Sequence, residues 1–328
     1  MPGRVSRAFS FCANPVQCLD MTRPSVHAKL ILLPIVLVTA MRAQSVDVQK
    51  MPHSGYQDRI LFLRGMFSDE RLRYDSTGMP LDNPPVGLWT TDAFVLITEV
   101  SVEGQNLVIR GRRMVVGANS KGFYFLADNP KKRKNAPKVE IHAGVESGGT
   151  SSEIDALIGK VFLTDADSFV TLIPSYWKTC VSAGLYQVND ANYQGCRFSP
   201  EVLSVPGVKL QGNLPPGVRS VEGSRPELES VRVFRVGQGV SPPTLVFSPQ
   251  PQFTSTAREL NLQGVVTLGL IVDDKGTPRS IEVITPLGAG LDEQAVNTIS
   301  TWNFKPARKD KQIPVATQIA IQVDFHHN

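Results

Sequence analysis

The segment from Val315 to Phe325 constrains the fold more than any other part of the chain. Val315, Thr317, Ile319, Ile321, Val323 and Phe325 alternate there with Ala316, Gln318, Ala320, Gln322 and Asp324. A strict period of two over that length is the pattern of a strand with one face in a core and one in water. Upstream, Gly288-Ala289-Gly290 breaks the chain before a helix. Leu291, Ala295, Val296, Ile299 and Trp302 fall on one apolar face of that helix, and Asp292 and Glu293 lie in its first turn, where the dipole favours them. Earlier still, Val266, Leu268, Leu270 and Val272 alternate, as do Ile281, Val283 and Thr285, with Asp273-Asp274-Lys275-Gly276 as the turn between them. That is a hairpin by pattern and turn chemistry. Thr256-Ala257-Arg258-Glu259 fits a capping box opening a short helix that stops before Gly264. The order is helix, strand, strand, helix, strand, which predicts a small α+β domain on a three-stranded antiparallel sheet.

Residues 56–200 read as a β-rich unit. The apolar, β-branched run Ala93–Val102 is followed by Glu103-Gly104-Gln105-Asn106 and then by a second such run, Leu107–Val116. This predicts a hairpin, with further short strands at Gly122–Leu126 and Val139–His142. One helix is predicted after Gly148-Gly149, capped by Thr150, Ser151 or Ser152, with Ile154, Leu157, Ile158 and Val161 at helical spacing. The basic run Lys131-Lys132-Arg133-Lys134 follows Asn129-Pro130 and reads as a solvated turn. Residues 205–242 are rich in proline and glycine and read as a linker, interrupted by a strand-like Val231–Val236. In extended form, at about 3.1 Å per residue, it is too short to bridge a wide compartment.

The formal charge of +4 comes from the first 43 residues, where Arg4, Arg7, Arg23, Lys29 and Arg42 face Asp20 alone. The remainder balances basic against acidic side chains and gives no reason to expect a nucleic-acid partner. The basic stretch with Arg23 and Lys29 precedes the apolar run Leu30–Ala40, which has the length of a signal-peptide core. Cleavage fits after Val38-Thr39-Ala40 or Met41-Arg42-Ala43. An uncleaved anchor and a buried core element are the alternatives, although a spanning helix wants about 20 apolar residues. Met21 would make a more usual start, so residues 1–20 read as a miscalled extension. Cys180 and Cys196 remain after such a signal. An even pair in an oxidising compartment reads as a disulfide closing a loop, with the neighbouring Tyr176, Trp177 and Tyr193 packed around it. Free thiols and a metal site are the alternatives. A metal would need two further ligands, and His142 is the other nearby soft donor.

At the C-terminal residues the chain resembles a known family. Ala257-Arg258, Gly264-Val265-Val266, Val272-Asp273 with Gly276, Gly290-Leu291-Asp292 with Ala295, Trp302–Ala307 and Pro314-Val315 are similar to the TonB C-terminal domain, in that family's order and spacing. The resemblance covers about residues 243–326. It implies binding of an extended peptide from an outer-membrane receptor, added as a strand beside Val315, Ala316, Thr317, Gln318, Ile319, Ala320, Ile321, Gln322 and Val323. It also implies a role in energy-dependent transport. Energy-transducing members contact inner-membrane proton-channel proteins through an N-terminal helix and cross the periplasm on a Pro-rich rod. Here a signal-like segment and a folded unit stand in those places, and Phe253-Thr254 stands where the family often has Tyr-Pro. The alternative is a static envelope scaffold that pairs with itself as a homodimer or with another envelope component.

The chain thus divides into a signal peptide (1–43), a β-rich domain (44–204), a linker (205–242) and a TonB-like domain (243–328), placed in the periplasm or, alternatively, anchored in the inner membrane. No HExxH, GxSxG or phosphate-cradling glycine loop is present. His53, His142, His326 and His327 are the exported histidines, and Asp273-Asp274 sits at a turn, where aspartate is favoured. The sequence points to a binding protein with no catalytic residues, cofactor or metal.

Overall fold

A computed structural model describes residues 55–126, 137–146, 149–186, 196–208 and 232–326. The signal-like leader, the Lys131–Lys134 run and linker residues 209–231 lie outside these. The β-rich part contains β1 (Ile60–Phe62), β2 (Arg71–Tyr74), α1 (Trp89–Asp92), β3 (Phe94–Glu103), β4 (Asn106–Met114), β5 (Val116–Asn119), β6 (Gly122–Phe125), β7 (Lys138–Gly144), α2 (Ser151–Val161), α3 (Ser175–Tyr186) and α4 (Pro200–Leu203). The C-terminal part contains β8 (Phe234–Arg235), β9 (Thr244–Phe247), α5 (Ser255–Glu259), β10 (Gly264–Val272), β11 (Pro278–Thr285), α6 (Leu291–Ile299), β12 (Asn303–Lys305), β13 (Ala307–Lys309), β14 (Ile313–Val315) and β15 (Thr317–Phe325).

Five strands of the first part form one sheet in the order β1-β3-β4-β7-β2. The hairpin β3–β4 turns at Glu103 and Asn106, as its pattern predicts. All neighbours are antiparallel except β2 and β7, which run parallel. Helix α2 is capped by Thr150 and lays Ile154, Leu157, Ile158 and Val161 on the sheet, where they meet Val95, Ile97, Ile109 and Ile141. The polar face of the sheet gathers Arg110 with Glu103 and Glu140, each at 3.0 Å.

A second core holds a cluster of rings in edge contact. Trp89 sits 5.1 Å from Phe123 and 5.2 Å from Trp177, centroid to centroid. This core continues without interruption into Val283, Leu287, Leu291 and Ile299 of the C-terminal part. The two parts therefore share buried surface, which periodicity within either could not reveal.

The C-terminal sheet has the three expected antiparallel strands, β11, β10 and β15, and a fourth, β8, parallel to β15 and contributed by the segment read as linker. Two local expectations also change. The segment around Trp177 and Cys180, read as a loop fixed by a disulfide, is the helix α3. Trp177, Cys180, Val181 and Leu185 are all buried and lie at helical spacing, a signal the cysteines had masked. Helix α5 is capped by Thr254, whose side chain accepts from the Ala257 N–H, so the cap lies two residues before Thr256.

Cys180 and Cys196 form a disulfide with Cα atoms 5.2 Å apart. It ties α3 to the chain leading into α4. Gly184 makes room for this, because a Cβ there would sit 1.2 Å from the Cys196 carbonyl oxygen. The bridge closes a separation of 16 residues. Replacing both cysteines with alanine should cost about 3 kcal/mol of stability in the chain-entropy model, measured as a drop of the urea midpoint with the slope fitted separately for each protein.

Candidate partner-binding edge

β15 pairs with β10 through nine consecutive residues, from Thr317 opposite Val272 to Phe325 opposite Gly264. Its odd-numbered side chains turn inward. Val323 and Phe325 are buried with Val266, Leu268 and Leu270, beneath Leu291, Ala295 and Ile299 of α6. The Phe325 ring stands edge-on to Phe253 at 5.4 Å. The even-numbered side chains, Gln318, Ala320, Gln322 and Asp324, are exposed.

The other side of β15 is a sheet edge. The Phe234 N–H donates to the Ala316 carbonyl at 2.9 Å, and β8 runs parallel to β15 opposite Thr317 and Gln318. Backbone groups alternate in direction along a strand. The bond to Ala316 therefore puts the N–H and C=O groups of Gln318, Ala320, Gln322 and Asp324 on this outer edge, and those of the odd residues toward β10. Beyond Gln318 no strand pairs with this edge among the described residues. Of the expected segment, Thr317–Val323 lies in β15. Val315 belongs to the β13–β14 ribbon, opposite Ala307, and Ala316 joins the two. β8 itself falls inside the strand-like Val231–Val236, but its parallel partner is set by tertiary structure alone.

The opposite edge, that of β11, is covered. Helix α3 packs along it, with Cys180 Sγ 3.6 Å from the Ile284 carbonyl oxygen. A disulfide sulfur has no proton to donate, so this is a packing contact. Covering an edge with a helix removes it as a pairing site.

The turn between β11 and α6 locks into the β-rich part. The Ala118 N–H donates to the Leu287 carbonyl and the Ala289 N–H to the Val116 carbonyl, both at 2.8 Å. Gly288 lies between them at φ +86°, and a Cβ there would approach the Val116 carbonyl oxygen to 2.3 Å. Glycine is required on both counts. Asp292 accepts from the Leu287 and Gly288 N–H groups at 2.9 and 2.6 Å. Glu293 accepts from Trp177 Nε1 at 3.1 Å, and its second oxygen is buried with no hydrogen-bond partner among the described residues. Both acids are almost wholly inaccessible, which their first-turn position does not reveal. Burial raises both carboxyls far above the ordinary range, and the Asp292 charge raises Glu293 further. Two backbone donors favour an ionised Asp292. Glu293, with one donor and an orphan oxygen, is the better holder of the proton.

Residues 249–327 match the family model of the Gram-negative bacterial TonB protein C-terminal. This part of the chain is a TonB C-terminal domain. The solution NMR structure of the Pseudomonas aeruginosa TonB C-terminal domain is also similar, at 16% identity over 29% of this chain and 94% of that one, with a TM-score of 0.24. No curated protein matches the chain. Among the described residues no group of acidic, histidine or cysteine side chains could hold a metal, and no helix is long and apolar enough to cross a membrane.

The raised carboxyls of the buried acids should make stability depend on pH. A carboxyl raised in the folded state retains a proton that the unfolded chain releases, so its stabilisation is full at low pH and is lost as pH rises through the raised value. Asp75, Glu103, Glu140 and Asp273 are shifted downward and act in the acid range instead. Stability should therefore fall from mildly acidic to mildly alkaline pH. Glu293→Gln, which keeps an acceptor for Trp177, should flatten that fall. Urea midpoints of both proteins between pH 5 and pH 9 check this.

Proposed function

We propose that this chain is an exported envelope protein whose TonB domain binds extended periplasmic segments of outer-membrane receptors by strand addition along β15, in support of energy-dependent transmembrane transport. The open outer edge of β15 beyond Gln318 carries this reading, because it is a row of backbone donors and acceptors beside a sheet whose other edge is covered. The family supplies the partner class, since TonB C-terminal domains engage outer-membrane receptors. The leader supplies export to the periplasm. Contact with inner-membrane proton-channel proteins belongs to the same proposal.

A second reading, a static envelope scaffold, is favoured by one observation. The β-rich part shares a core with the TonB domain, where an energy transducer of this family would begin its rod. A homodimer through the open edges of β15 is the form that reading takes.

Alternation along β15 makes the test specific. Proline at Ala320 or Gln322 removes an outward N–H and leaves the bonds to β10 in place, a position where edge strands tolerate proline. Proline at Ile319 or Ile321 would instead break the β10 ladder. Synthetic peptides from the N-terminal segments of host outer-membrane receptors should shift the amide resonances of Ala320 and Gln322 in the intact protein. Ala320→Pro and Gln322→Pro should each weaken that binding by up to about tenfold, the loss of one backbone hydrogen bond. Undiminished binding to both folded variants would remove β15 as the site.

A further inference from the structure

The first outward position of β15, Gln318, and the Ala316 carbonyl just before it are occupied by the chain itself. We propose that β8 is a built-in competitor for the receptor-binding edge, displaced when a partner strand extends across Thr317 and Gln318. This rests on the reading of β15 as the binding edge.

β8 is two residues long and pairs in parallel, the less stable of the two ladder types. It is held by the bond to Ala316 and by the Phe234 ring. That ring packs against Val240, Ala307 and Val315, with the Arg232 guanidinium 5.0 Å and the Lys309 ammonium 5.4 Å from its centroid. Cation–π contacts at such exposed sites are weak. The chain leaves at once through a tight turn, in which the Gly237 N–H donates to Val240 O at 2.9 Å and the Val240 N–H to Gly237 O at 3.0 Å. The sequence before β8 carries Pro215, Pro216, Gly217, Gly223 and Pro226. Peeling β8 away therefore leaves the β10–β15 ladder untouched. A tethered strand competes at an effective concentration in the millimolar range. A receptor strand that needs the whole edge must outbid it, and one that stops at Ile319 need not. β8 thus sorts partners by the length of edge they require.

The test compares three forms of the full chain: wild type, Phe234→Ala, and a form in which Arg235→Cys and Gln318→Cys, opposite in register, are joined by a disulfide. The single-cysteine forms serve as controls. The probe is the receptor peptide that binds best among those titrated above. Phe234→Ala should raise its affinity by about tenfold, the effect of losing the packing of a half-buried ring, and free the Gln318 amide to exchange at the rate of Ala320. The cross-linked form should bind more weakly than its controls. Amide exchange along β10 reports whether each variant keeps its fold. Should Phe234→Ala fail that check, the cross-linked form alone decides, by comparison with its controls. Equal affinity in all folded forms would overturn the competitor while leaving the edge as the site. Absence of binding even in Phe234→Ala, with its ladder intact, would overturn the edge reading and the competitor together.

Discussion

The nine-residue register between β10 and β15 is the constraint on which the rest of the C-terminal part depends. A slip of one residue would carry Val323 and Phe325 from the core to water and bring Gln322 and Asp324 inside. With the register fixed, the two sides of β15 become unequal. Its odd residues spend their backbone groups on β10, and its even residues keep theirs for the outer edge. The polar side chains on those same even residues keep the edge soluble while it stays open, which is how natural sheets manage an unpaired strand.

What the β-rich part adds is asymmetry between the edges of the sheet. Without α3, β11 would offer a second row of backbone groups and the sheet could pair at either side. Helix α3 closes that side, and its position is fixed by the disulfide, by Gly184 beneath Cys196 and by Trp177 against Glu293. The buried pair Asp292–Glu293 belongs to the same joint. Asp292 shapes the turn that reaches Val116 and Ala118, and Glu293 meets the helix that covers β11. Burying two neighbouring acids is costly, and the cost is met where the two parts have to be held in one orientation.

Much of this was legible locally. β15, the β10–β11 hairpin, α6, the β3–β4 hairpin and α2 each announce themselves through period two, period 3.6, a turn or a cap. Alternation marks β15 as a strand with one buried face, and the resemblance to the TonB C-terminal domain is what placed the candidate edge on it. What escaped was set by long-range contact. Asp292 and Glu293 look like ordinary first-turn acids until Trp177 arrives from more than a hundred residues away. Phe234 and Arg235 read as strand, but nothing local says that their partner is Thr317. Helix α3 was readable from Trp177, Cys180, Val181 and Leu185, yet the cysteines suggested a loop closure instead. Which backbone groups of β15 face outward could not be read at all, because it depends on which neighbour each residue bonds.

On the proposed reading of β15 as the receptor-binding edge, the same geometry would define a path for mechanical load. A strand added to β15 lies along the sheet, so a pull on it loads the hydrogen bonds between strands in shear, many at once, rather than one at a time. From β15 the load passes through nine pairs to β10 and then to β11, whose register with β10 shifts twice. It ends in α3 and in the Gly288 turn, both built into the β-rich part. The weakest link on that path is the β10–β11 ladder, where the shifts leave fewer regular pairs. α6 packs against both of those strands through Leu291, Ala295 and Ile299, so the apolar layer reinforces the sheet where its hydrogen bonding is least regular. Whatever acts on the open edge is therefore carried through the sheet to the joint between the two parts, where the buried acids lie.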